Sequence, residues 1–179
     1  MGRLTLNILL SFAQFEREII GERIRDKIAA QRRKGKWAGG HPVLGYDVDR
    51  STPNSKLVIN PKEATQVRAI YELYLTLKSL TPVLKEVVGR GWLNKSWNTL
   101  SGVKRGGCSF DKASLHMLLT NSIYAGKIKH KELVFEGEHE AIVDSTTFAA
   151  VQKLLKSHSR GKGNGVNNKY GALVGQRHF

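Results

Sequence analysis

The chain has 179 residues, with 29 Lys or Arg against 15 Asp or Glu, for a net charge of +14. A balance this basic points to a polyanionic partner, and 40% hydrophobic residues suffice for one core of ordinary size. A single cysteine, Cys108, excludes an intrachain disulfide and a cysteine-rich zinc site, and no run approaches the roughly 18 to 20 apolar residues of a membrane span.

Residues 3–37 read as one long helix, with Leu6, Leu9 or Leu10, Ala13, Ile20, Ile24 and Ile28 recurring mostly at three- and four-residue steps. Its first part is apolar nearly all round: Leu4, Leu6, Ile8, Leu9, Leu10, Phe12, Ala13 and Phe15. From Arg23 on it is cationic, with Arg25, Lys27, Arg32, Arg33, Lys34 and Lys36 against the single acid Asp26. A solvated helix usually interleaves acids with its cations. One end therefore suits a protein partner and the other suits phosphate, although packing on its own domain is the plainer reading of any apolar stripe. Arg3 and the apolar run are followed by Gln14, Glu16 and Arg17 with no small-residue cleavage site, unlike a signal peptide. A cytoplasmic protein facing nucleic acid is the expectation.

Gly35, Gly39 and Gly40 end the helix. Residues 38–60 form a linker in which GYDVDR and KLVIN read as two strands around a turn from Ser51 to Ser55. Residues 61–156 form a compact, mainly helical domain. Pro61 starts a helix with Ala64, Val67, Ile70, Tyr71, Tyr74 and Leu75 on one face, and Thr81-Pro82 opens a second. A polar loop carrying Lys95, Lys104 and Arg105 follows. A short helix then turns Leu115, Leu118 and Leu119 inward and Lys112, Ser114 and His116 outward. A hairpin follows, and then a last helix capped at Asp144-Ser145. Residues 157–179, rich in Gly, Asn, Ser and Lys and without an acid, read as a flexible basic tail. The fold class is mainly α with small β elements (α+β), a long helix followed by an elaborated helix-turn-helix-like domain. The gap of about 20 residues between the two inner helices is long beside the simple motif's turn of about three or four.

In order, FAQFEREIIGERIRDKIAAQRRKGKWAGGHPVLGYDVD, INPKEATQVRAIYELYL, GWLNK, SLHMLLTNSIYAGKI and EGEHEAIVDSTTFAAVQKLL resemble the large serine recombinases, where the catalytic domain's last helix runs into the DNA-binding recombinase domain. The resemblance covers residues 3–156. It implies double-stranded DNA as partner, a homodimer or tetramer built on the long helix, and strand exchange through a phosphoserine with no cofactor and no small-molecule substrate. It also implies that the nucleophilic serine lies upstream of this segment, so that the chain alone is inactive. Arg17 and Arg23, in FER and GER, match arginines near the active site, with Glu16 and Glu22 as acidic neighbours; ion pairing within the helix and at the dimer interface is the structural alternative. Relatives usually continue into a zinc ribbon with paired cysteines, whereas no cysteine follows Cys108 here.

The expected DNA contacts are Arg25, Lys27, Arg32, Arg33, Lys34 and Lys36 from the long helix, Lys104 and Arg105 on phosphate, and Lys112, Ser114 and His116 toward bases. His41, His116, His130, His139, His158 and His178 show no metal-ligand spacing, so no metal is expected. Cys108 and Ser11 lack an activating neighbour; Cys108 reads as a buried or half-buried structural cysteine and Ser11 as packing. Two other classes remain open. A helix-turn-helix transcriptional regulator would not need FER and GER, and an RNA-binding protein would want an aromatic-rich strand.

Overall fold

The computed structural model describes residues 2–51, 55–99 and 101–160. Helix α1 (Gly2–Arg33) has no buried residue. At about 1.5 Å per residue it is a rod of roughly 48 Å, and only its last turns touch the body. It stops at Arg33, short of the expected residue 37, because Gly35 takes φ +69°. The Gly35 N–H bonds the Arg32 carbonyl at 3.0 Å and the Lys36 N–H bonds that of Gln31 at 3.0 Å, the paired bonds of a Schellman ending.

Strands β1 (Tyr46–Asp49) and β2 (Lys56–Ile59) pair antiparallel, Tyr46 opposite Ile59 and Asp49 opposite Lys56. Residues 52–54 of the expected turn lie outside the described residues. Helix α2 (Pro61–Leu77) has Pro at its first turn and Asn60 as N-cap, whose side chain accepts from the Glu63 N–H. It buries Ala64, Val67, Ile70, Tyr71 and Tyr74, five of the six positions expected, with Leu75 half-buried. Helix α3 (Leu80–Gly89) buries Val83 and Val87.

The polar stretch between α3 and the next helix is not only loop. It holds a small hairpin, β3 (Ser96–Asn98) paired with β4 (Lys104–Gly106). The tip is tied by the Thr99 N–H to the Val103 carbonyl and the Gly102 N–H to the Thr99 carbonyl, both 2.9 Å. Its base closes against the Trp97 ring and the Lys95 carbonyl, which leave no room for a side chain at Gly106, φ +76°. Helix α4 (Lys112–Thr120) packs on α3 across this insertion, so the expected elaborated helix pair holds together with the hairpin between its members.

A single 3-10 turn, Ser122–Ala125, leads into the expected hairpin, β5 (Lys127–His130) and β6 (Leu133–Glu136). Helix α5 (Ser145–Arg160) runs four residues past the expected end of the domain at 156; residues 161–179 of the expected tail lie outside the described residues. The core lies where α2 meets α3 and α5, and α4 closes it with Leu115 and Leu119. Four tyrosines, Tyr46, Tyr71, Tyr74 and Tyr124, are its largest fully buried side chains. The Tyr46 hydroxyl donates to the Glu140 carbonyl at 2.7 Å, and burial pushes its pKa up to about 12, so it remains a neutral donor.

Candidate nucleic-acid interface

The cationic end of α1 meets the body at Arg32, whose Nη1 stands 3.2 Å from His130 Nδ1 on β5. Partial desolvation, then the charges of Arg32, Lys131 and Arg33, hold the His130 pKa below its ordinary value. His130 therefore accepts from Arg32 as a neutral ring. Lys36 pairs with Glu138 at 3.6 Å. Arg25, Lys27, Arg33 and Lys34 join no ion pair among the described residues. The Arg25 guanidinium Nε–H turns back to the Gly21 carbonyl.

Two adjoining clefts connect this end to α4. The first, between Arg32, Trp37, Gly39, Asn121, Ser122 and Lys129, has about 170 Å³. The second is an open groove of about 490 Å³, with His41, Pro42 and Val43 on one side, Trp97 from β3 on another, and Ser114, Met117, Thr120 and Asn121 from α4. Asn121, which closes α4, borders both. The His41 and Trp97 rings lie 5.3 Å apart, and both line the groove.

On α4, Lys112, Ala113, His116, Met117 and Thr120 are exposed, and Met117 is 70% exposed. Ser114 is half-buried and its hydroxyl is engaged. It donates to the Asp111 carbonyl and accepts the Asp111 N–H, while the Asp111 carboxylate accepts the Ser114 N–H at 2.7 Å. These bonds also hold the Asp111 pKa below its ordinary value. The arrangement is a capping box, so Ser114 fixes the start of α4 and its hydroxyl proton is already donated within the cap.

The two hairpin cations separate. Arg105 lies directly across from Trp97, and cross-strand partners share a face, so Arg105 stands on the groove side. Lys104 points to the other face, toward a cleft with Gln66, Asn94 and Ser96. Lys95, read from the sequence as a loop cation, is 8% exposed and bonds Asp47 Oδ1 at 2.6 Å and Glu63 Oε2 at 2.7 Å. It ties the β3–β4 hairpin to β1 and α2 instead of meeting solvent.

Arg17, Arg23, Glu16 and Glu22 are exposed on α1, or nearly so, and no ion pair joins any of them among the described residues. The Ser11 hydroxyl donates to the Asn7 carbonyl at 2.9 Å beside Ile8, Phe12 and Phe15. Cys108 is exposed rather than buried or half-buried. Among the described residues no group of three His, Cys, Asp or Glu is placed to hold a metal, and no helix is long and apolar enough to cross a membrane. The sequence reading missed His41, Trp97, Met117 and Thr120. The spacing 112, 113, 116, 117, 120 gives the last two, being one helical face; nothing local gives the Trp97–His41 pairing.

A family model described as Recombinase matches residues 61–158. The chain belongs to the Recombinase family. A second model, the Resolvase N-terminal domain, matches residues 1–37, which is α1 with its ending. The two together agree with the large serine recombinase resemblance and do not favour a free-standing regulator for this recombinase chain. Among solved structures, one described as the crystal structure of an LSR–DNA complex superposes with a TM-score of 0.61 at 24% identity, covering 76% of this chain and 38% of that one. Another, from work on sequence requirements of the Listeria innocua prophage attP site, gives 0.56 at 24% identity, covering 78% and 51%. The recombinase chain thus spans between 38% and 51% of the length of these relatives, and the likeness establishes the fold. No curated protein matches the sequence.

Proposed function

We propose that the chain binds duplex DNA in the cytoplasm as the recognition part of a site-specific serine recombinase, with DNA running from the cationic end of α1 past the two adjoining clefts to α4. The observation that carries this is that the two clefts share Asn121, while Arg32 and Lys129, which line the first, join no ion pair among the described residues. Arg33 and Lys34, with Arg25 or Lys27 beside them, engage phosphates, which supply most of the affinity, and Arg32, turned onto His130, contributes less. Lys36 contributes less, being held by Glu138. Lys112, His116 and Met117 face base edges from α4, with Arg105 on the flanking backbone and Lys104 on the far face. Ser114 acts by setting the start of the helix.

The apolar half of α1 forms the dimer interface. Leu4, Leu6, Leu9, Leu10, Phe12 and Phe15 are each more than half exposed on the isolated chain, a surface that demands a partner. Arg17 and Arg23 lie between that interface and the DNA-contacting end. By the family resemblance their guanidinium groups stabilise charge on a phosphate attacked by a serine from the catalytic domain.

The test is a mobility shift with supercoiled DNA carrying a site recognised by a longer protein that holds both catalytic domain and this segment. The chain alone gives a shift and no covalent adduct, because it offers no activated nucleophile. In the longer protein, Arg17→Ala or Arg23→Ala lowers strand cleavage more than binding. A phosphoserine adduct on this chain, or no affinity for duplex at low salt, refutes the proposal. Intact cleavage in both variants leaves the two arginines a structural role.

A further inference from the structure

The covalent path from α1 to the body passes through two glycines. Gly39 and Gly40 have φ of +90° and +121°, and a side chain at either would meet nothing within 4 Å. As a tether, this segment would let α1 swing. Yet α1 is held by contacts to a segment about a hundred residues away. The Gly35 carbonyl accepts the Glu138 N–H at 2.9 Å. Lys36 pairs with the Glu138 carboxylate, and Arg32 leans on His130. Gly35 itself is buried, and a Cβ built there would lie 2.0 Å from the Glu136 carbonyl oxygen and 3.1 Å from its carbon.

Position 35 therefore needs glycine twice. The Schellman ending requires a left-handed φ, which Asn also tolerates. The approach to the Glu136 backbone requires the absence of any side chain, which Asn does not meet. The second requirement has nothing to do with ending a helix; it fastens the end of α1 to the exit of the β5–β6 hairpin.

We infer that Gly35 is a positioning residue: its latch onto Glu136 and Glu138 makes α1 and the body one rigid ruler, fixing the offset along DNA between the α1 contacts and the α4 contacts. The inference rests on the DNA-binding reading above. Successive base pairs are about 3.4 Å apart along the axis, so a rigid ruler discriminates single-base-pair changes of offset and a swinging helix does not.

The experiment is hydroxyl-radical footprinting on a duplex that the full wild-type chain selects from a random pool. Three chains are compared: wild type, Gly35→Asn, and a chain with two glycines inserted between Gly39 and Gly40. Wild type protects two tracts at one offset. The insertion leaves that offset unchanged, because the latch and not the tether sets it. Gly35→Asn keeps the α4 tract and loses the sharp edges of the α1 tract. An insertion that shifts or blurs the α1 tract overturns the inference, as does Gly35→Asn with both tracts intact. If Gly35→Asn does not fold, the insertion chain decides alone. A wild-type chain that retains no duplex overturns the DNA reading and the ruler together. Two wild-type tracts with an offset indifferent to position 35 overturn the ruler only.

Discussion

Replacing Arg33 and Lys34 together by alanine separates phosphate contact from ornament at the end of α1. Both side chains are exposed and bond to nothing in the body, whereas Arg32 beside them is turned onto His130. Arg33 ends α1 and Lys34 follows it directly, so the two would meet a phosphate ridge from adjacent angles. One of Arg25 and Lys27, which stand about 200° apart, can join them. With Arg105, roughly four phosphates would be neutralised, giving a slope of log affinity on log salt near −3.6. Losing two contacts flattens that slope by about 1.8. Over a fourfold rise, from about 50 to about 200 mM salt, the double variant loses roughly 12-fold less affinity than wild type does. Fluorescence anisotropy of a labelled duplex across that range reads the two slopes. Parallel lines for variant and wild type would remove both residues from the interface.

The single variants Arg105→Ala and Lys104→Ala should differ in the same assay, the first flattening the slope by about 0.9 and the second leaving it unchanged, since only Arg105 shares the Trp97 face. Lys95→Met should destabilise the fold by about 2 to 3 kcal/mol in urea unfolding, less than a fully buried pair because Asp47 is 58% exposed and rehydrates. The Lys95 ammonium holds the Asp47 pKa below its ordinary 3.8, so this contribution is present above that value and lost as pH falls through the depressed one; a Lys95→Met chain should lose the corresponding acid sensitivity. Asp111→Ala removes the carboxylate arm of the capping box and should cost about 1 kcal/mol of stability, read as a lowered Tm. Burial holds the His139 pKa below its ordinary 6.5, only partly offset by its Nε2–H bond to the Ile123 carbonyl. The neutral ring is the folded form, so stability should be full above 6.5 and fall as pH drops through the lowered value, and His139→Gln should flatten that fall in a pH series of melts.

The helices were legible because their apolar spacing is local. The face expected for α2 is the face buried, and Asn60-Pro61 marks its start through a cap and a fixed φ that need no tertiary context. The β5–β6 hairpin was legible for the same reason. The β3–β4 hairpin was not: SWN and KRG carry no apolar alternation, and their pairing depends on Gly106 fitting under the Trp97 ring. Lys95 misled for a related reason. A lysine among polar residues reads as solvated, and its carboxylates lie 48 and 32 positions away. Ser114 was visible as an outward residue of α4, but Asp111-x-x-Ser114 also spells a cap, and the cap claims the hydroxyl.

The same division explains why α1 is both the most readable and the least self-sufficient element. Its ending is settled within six residues, Gln31 to Lys36, by two backbone bonds and one left-handed glycine. Its stability as a helix is another matter. Isolated helices draw little from propensity alone, and most helical stability comes from burying an amphipathic face. Here no α1 residue is buried, while Leu4, Leu6, Ile8, Leu9, Leu10, Phe12, Phe15, Ile20 and Ile24 remain exposed. The body can stabilise only the end it touches. The other end must gain its burial from a second helix of like character, which is what the proposed dimer supplies. On this reading assembly at the apolar end and DNA contact at the cationic end reinforce each other through one continuous backbone. The latch at Gly35 is then the point where the order gained by both reaches the body.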